Sequence, residues 1–162
     1  MSGLVLREAV RADAALVMQF IRHLAVYEKL AHEVVTNDDE IASALFGTNP
    51  RVFCDIAEWN GAPAGFALWF YSFSTFRGRH GIYLEDLFVK PEVRGHGIGK
   101  ALLANLARRA TAQDCARFEW SVLDWNTPSI EFYKSLGAVA LDEWTKYRLS
   151  DAALANLAGS AS

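Results

Sequence analysis

"EVRGHGIGKALL", residues 92–103, packs Gly95, Gly97 and Gly99 into five positions. Before it runs the apolar stretch "GIYLEDLFVK" (81–90), and after it "ALLANLARRA" (101–110) has helical spacing. A helix N-terminus leaves N–H groups unpaired and carries partial positive charge, so it draws phosphate. Glycines let the backbone approach an anion closely, because no Cβ stands in the way. Arg94 and Lys100 bracket the loop with positive charge. The plainer reading is a tight turn that needs glycine for geometry alone, but three glycines at a strand-to-helix junction favour an anion site. Two nucleotide patterns fail here. A Walker loop needs Ser or Thr where Ala101 stands and glycine where Arg94 stands, and the dinucleotide fingerprint needs its third glycine one residue beyond Gly99.

Outward from the loop, the chain reads as alternating elements. "LVLREAV" alternates like a strand, and Asp13 is placed to cap a helix with Leu16, Val17, Phe20, Ile21 and Leu24 on one face. Thr36 would cap a second helix through Phe46. "RVFCDIAEW" and "APAGFALWFY" flank Asn60-Gly61, a hairpin signal. Residues 72–80 read as a polar loop and 81–90 as a strand, followed by a helix to about Gln113. "RFEWSVL" is a strand, Pro128 opens a short helix that Gly137 ends, and "AVALDEWTKYRL" is a final strand. The order β-α-α-β-β-β-α-β-α-β implies an α/β protein: a mixed, twisted sheet of six to seven strands with helices on both faces. Residues 1–150 are expected to form one domain, and 151–162 a short helix or tail.

Composition bounds the function. With 162 residues the chain is expected to bury roughly 70% of its unfolded surface. A net charge of −3 and scattered tryptophans argue against a nucleic-acid partner. Cys54 and Cys115 have no ligand spacing and read as free thiols of a reducing compartment. His23, His32, His80 and His96 likewise show no ligand spacing, so no metal is expected. No leader-like or membrane-length apolar run is present, and a cytoplasmic location is expected.

Two stretches carry candidate chemistry. In "GIYLEDLFVK", alternation places Ile82, Leu84, Asp86 and Phe88 on one face and Tyr83, Glu85, Leu87 and Val89 on the other. Two adjacent carboxylates in an otherwise apolar strand are costly to bury without purpose; they mark a site, or else reach water or arginines at the strand's end. In "WNTPSIEFYK", Tyr133 is a donor of suitable acidity to protonate a leaving thiolate, while its spacing with Ile130 and Leu136 equally fits a packed core residue. Asn126 reads as a helix cap on spacing alone.

Arg-x-x-Gly-x-Gly, at Arg94, Gly97 and Gly99, resembles the pyrophosphate loop of the GNAT superfamily of acetyl-CoA-dependent N-acetyltransferases. "YLEDLFVKPEVRGHGIG", "LDWNTPSIEFYKSLGA" and "AVYEKL" resemble stretches of its diamine (spermidine/spermine) and thialysine acetyltransferases, so the resemblance covers nearly the whole chain. It implies that Arg94, Gly95, His96, Gly97, Ile98, Gly99 and Lys100 hold the pyrophosphate of acetyl-CoA. The backbone of Leu87, Phe88 and Val89 would pair with the pantetheine arm, with the Leu87 N–H facing the oxyanion. Asn126 would contact the same arm, with Ser129 and Lys134 as further cofactor contacts. An amine is protonated at neutral pH and needs a base; the resemblance gives that role to Glu85 and the general-acid role to Tyr133.

For the acceptor, Tyr27, Glu28, Glu33, Glu85, Asp86, Trp120 and Glu143 are the expected contacts, with Asp142 beside them, an acidic cleft suited to a cationic amine. Where polyamine-acetylating members carry Asp-Pro-Trp before the central strand, this chain has "STFRGRHG", closer to the "STWKG" of the thialysine branch. Arg77 in that loop would clamp an acceptor carboxylate, or else is a solvated loop charge. The expected activity is direct acetyl transfer to a small primary amine. Rival readings are a protein N-terminal or lysine acetyltransferase and a non-catalytic acyl-CoA sensor. The resemblance also implies a homodimer.

Overall fold

A computed structural model describes residues 3–160; residues 161–162 of the expected tail lie outside it. The chain divides into two compact units, residues 1–123 and 124–162.

The first unit is built on a five-stranded sheet in sequence order, β1 (Leu4–Glu8), β2 (Phe53–Trp59), β3 (Ala62–Ser74), β4 (Arg79–Val89) and β5 (Phe118–Trp120). The first four strands pair antiparallel, and β5 joins β4 in parallel across α3 (Ile98–Ala112). Asn60 and Gly61 both have positive φ and close a two-residue β2–β3 turn, as the dipeptide predicts. The expected polar loop at 72–80 is instead mostly strand. β3 runs to Ser74 and β4 starts at Arg79, because Gly78, at φ +64, turns the chain within four residues.

Helices cover both faces. α1 (Ala14–Tyr27) and α2 (Asp38–Phe46) bury Val17, Phe20, Leu24 and Leu45 against Cys54, Ile56, Phe66, Leu68 and Phe88. Phe20 stacks on Phe66 at 5.3 Å between ring centres. On the opposite face, Arg109 of α3 reaches Asp55 (3.2 Å) and lies 5.0 Å over Trp69. The helix starts shift slightly from expectation. The Asp13 carboxylate accepts from Arg7 and the Val10 N–H rather than from the α1 backbone. Asn37, not Thr36, caps α2 by accepting the Glu40 N–H at 3.0 Å, while the Thr36 hydroxyl donates to the Glu40 carboxylate.

The second unit holds α4 (Thr127–Ser135) and α5 (Asp151–Gly159). The strand expected at 138–149 does not form. Its alternation supplies a face, but a strand also needs a neighbour for its backbone; residues 139–149 enter no ladder, and Val139, Trp144 and Tyr147 are exposed. The described sheet therefore has five strands rather than six or seven. Among the described residues, no helix is long and apolar enough to cross a membrane.

Candidate active site

The decisive local feature is a β-bulge at Glu85. Leu84 pairs with Trp69 and Asp86 with Leu68, so β4 spends two steps where β3 spends one and Glu85 has no partner on β3. The extra residue flips the side-chain alternation. Leu84 shares the face of Trp69, beneath α3, whereas Asp86 and Phe88 share the face of Leu68 and Phe66, beneath α1. The single face expected for Ile82, Leu84, Asp86 and Phe88 is thus split in two, because strict alternation holds only in an unbulged strand.

The bulge also marks where β4 loses its outer neighbour. β5 pairs only with Ile82, Tyr83 and Leu84, leaving residues 85–89 with an edge it does not reach. Lys90 donates its N–H to Ala64, and the Phe88 carbonyl faces Gly65. Alternation therefore turns the backbone groups of Leu87 and Val89 toward that open edge. Trp120 ends β5 directly opposite Leu84, one position short of the bulge.

Three carboxylates gather here. Glu85 is exposed, and Glu28, at the exit of α1, is half-buried. Burial pushes the Asp86 carboxyl up to about 7, and the charges of Glu85 and Glu28 push it the same way. Burial also raises Glu28, with Glu85 adding to the effect. Acids that raise one another's pKa form an electronegative pocket that a cation would relieve. Glu33 is exposed and 3.5 Å from His32, with no such coupling to Asp86.

At the other end of the open edge, the glycine loop leads into α3. Gly97 is the N-cap at φ +76, and Gly95 sits at φ +85, both in the left-handed region where a side chain is strained. No side chain caps the helix, and its first backbone bond runs from Ala101 to Gly97. The N–H groups of Ile98, Gly99 and Lys100 precede it, as an anion cradle requires. A Cβ on Gly99 would meet only Val89, at 3.8 Å, so its freedom is not a matter of space. His96 lies 4.9 Å from the Trp59 ring, and its Nδ1 is 3.1 Å from the Val93 carbonyl. Arg94 does not extend into the cradle: its Nε donates to the Val89 carbonyl at 2.9 Å, and its guanidinium lies over the rings of Tyr27 and Phe88. This pattern of free amides, open strand edge and left-handed glycines fits a pyrophosphate-bearing thioester such as acetyl-CoA.

In the second unit, Asn126 is buried and caps α4, accepting the Ser129 N–H at 3.4 Å, so the cap reading of its spacing is realised. Tyr133 is half-buried on α4 with its ring 5.6 Å from Phe132, and Lys134 lies 3.7 Å from Glu131. Gly137, at φ +88, ends the helix as expected, and Glu143 is exposed.

Arg77 is not brought to Glu85. It lies in the β3–β4 turn, and the six strand steps from Arg79 to Glu85 span about 20 Å at the usual rise, farther than a lysine-sized acceptor reaches. Alternation alone gives no sign of the bulge or of Arg94's stacking. Cys54, at 7% exposure, is closed to nucleophilic chemistry: burial pushes its thiol far up, and the charge of Asp55 adds to the push.

The profile of the acetyltransferase (GNAT) family matches residues 18–138. A thialysine N-epsilon-acetyltransferase of Sus scrofa is 38% identical over 98% of this chain and 99% of its own length. An L-ornithine N5-acetyltransferase of Arabidopsis thaliana is 28% identical, covering 92% of this chain and 85% of its own. Among solved structures, an integron cassette protein from the mobile metagenome of V. cholerae superposes with a TM-score of 0.81 at 27% identity, over 99% of this chain and all of the other. With its bulged β4, uncapped α3 and glycine loop falling inside the matched region, this chain belongs to the GNAT acetyltransferase family.

Proposed function

We propose that the protein transfers acetyl from acetyl-CoA to the primary amine of a small cationic acceptor, a thialysine- or lysine-like amino acid or a diamine. The observation that carries the reading is the bulge itself. It sets Glu85 beside Asp86 and Glu28 at the head of an open strand edge whose other end meets the uncapped helix. Acetyl-CoA supplies the activated acyl group. Its pyrophosphate would rest on the amides of the glycine loop, and its pantetheine arm along Leu87 to Val89. The Leu87 N–H faces the open edge, where an oxyanion from attack on the thioester would accept its hydrogen bond.

The acceptor's ammonium is drawn by the three carboxylates, and Glu85, exposed at the bulge, takes a proton from it so that the amine can attack. Tyr133 returns a proton to the departing thiolate. The amine attacks the thioester directly, with no acyl-enzyme. The relatives named for thialysine and ornithine support an amino-acid amine as acceptor, while the length of β4 between Arg79 and Glu85 speaks against Arg77 of the same chain as the clamp for its carboxylate. A homodimer belongs to the same reading and is checked by mass in solution. The test is thiol release from acetyl-CoA with thialysine, lysine, ornithine, spermidine and putrescine, ranked by kcat/KM. Turnover with none of them, despite coenzyme binding, would favour the sensor reading.

A further inference from the structure

The motif reading makes Arg94 one more pyrophosphate contact, yet its side chain is already engaged by Val89, Tyr27 and Phe88. The Nε donates to the Val89 carbonyl at 2.9 Å, and the guanidinium carbon lies 5.3 Å from the Tyr27 ring centre and 5.7 Å from that of Phe88. Tyr27 is the last residue of α1, and Glu28, one of the three clustered carboxylates, follows it directly. Phe88 in turn packs 6.0 Å from Phe20 of α1. A planar cation near two aromatic rings is attracted by both ring quadrupoles, and its edge donors remain usable for a hydrogen bond in the plane. Arg94 is therefore a clip between three parts: the glycine loop on its own backbone, the open edge of β4 at Val89, and the exit of α1.

We propose that Arg94 is a positioning residue for the acceptor, setting Tyr27 and Glu28 against the bulge and so coupling an ordered glycine loop to acceptor binding. The inference rests on the acetyltransferase reading above and adds a direction to it: coenzyme on the loop amides fixes Arg94, and Arg94 fixes the wall the amine meets. A lysine would keep the charge over Tyr27 but not the planar guanidinium or the Nε bond to Val89.

The test uses the full-length protein with the acceptor that ranks first in the amine screen. Coenzyme dissociation constants are measured by calorimetry and acceptor KM and kcat by thiol release, for wild type, Arg94→Ala, Arg94→Lys, Tyr27→Leu and the Arg94→Ala/Tyr27→Leu double variant. The clip at this exposed site predicts that each of Arg94→Ala and Tyr27→Leu raises acceptor KM about three- to tenfold. It further predicts kcat and coenzyme affinity within about threefold of wild type, partial recovery in Arg94→Lys, and a double variant no worse than either single. An unchanged acceptor KM in Arg94→Ala, or penalties that multiply in the double variant, overturns the coupling. A hundredfold loss of coenzyme affinity with normal acceptor KM would do the same and return Arg94 to the pyrophosphate. Wild-type protein that binds no coenzyme would fail the acetyltransferase reading itself and take the coupling with it.

Discussion

Glu85 and Asp86 are neighbours in sequence with opposite surroundings, one exposed and one held protonated up to about 7 by burial. That difference assigns separate tests. Glu85→Gln keeps the size and hydrogen bonding of the side chain but cannot accept the amine proton. Its kcat/KM should fall at neutral pH and recover partly at high pH, where free amine is plentiful; a pH profile identical to wild type would remove Glu85 as base. Asp86 is better read through stability. Its folded-state pKa lies above its unfolded value near 3.8, so the folded protein loses stability as pH rises from about 4 to about 7, and no more beyond. Asp86→Asn should therefore melt at the wild-type temperature near pH 4 and increasingly above it up to pH 7, which thermal scans across that range would show. Tyr133→Phe removes the donor and keeps the ring, so kcat should drop roughly 10²–10⁴-fold with little change in KM for acetyl-CoA.

Elements were legible in proportion to how local their causes are. The glycine loop, the Asn60-Gly61 turn and the α4 stop at Gly137 each follow from one or two residues with special backbone freedom, and all three stand where expected. The open edge of β4 depends instead on where β5 stops, a non-local fact that "RFEWSVL" does not carry. For the same reason the strand at 138–149 was overestimated: its apolar alternation is real, but pairing is a property of two segments. The bulge falls between these cases, since the adjacent carboxylates flagged the place without revealing the change of face. At this scale the loop makes its own prediction. Gly97→Val puts a β-branched residue at φ +76 and a side chain where the helix amides would meet the proposed pyrophosphate. Calorimetry should find coenzyme binding severely weakened, and unchanged binding in a folded variant would disqualify the loop.

For the chain as a whole, the second unit carries Tyr133 and Asn126 on and before α4, and the first carries the sheet, the carboxylates and the loop, each unit by itself. The first unit is held by two cores, one under α1 and α2 and one under α3. β4 serves both, contributing Ile82 and Leu84 to one and Phe88 to the other, and its even-numbered side chains exchange faces across Glu85. The position is therefore a phase shifter in the strand as well as a carboxylate. Exchanging its side chain leaves the bulge in place; excising it would close the ladder, with Leu84 opposite Trp69 followed directly by Asp86 opposite Leu68, and would keep Phe88 opposite Phe66 in the α1 core. Glu85→Gln should consequently melt close to wild type, and the chain lacking residue 85 should still melt in a cooperative transition, because the pairings on either side of it are already consecutive. A deletion variant that gives no cooperative transition would show that the two cores depend on the bulge itself. In this fold the candidate base is a surplus residue added to a ladder that closes without it, so the chemistry there can be exchanged by substitution or discarded by deletion while the strand goes on lining both interiors.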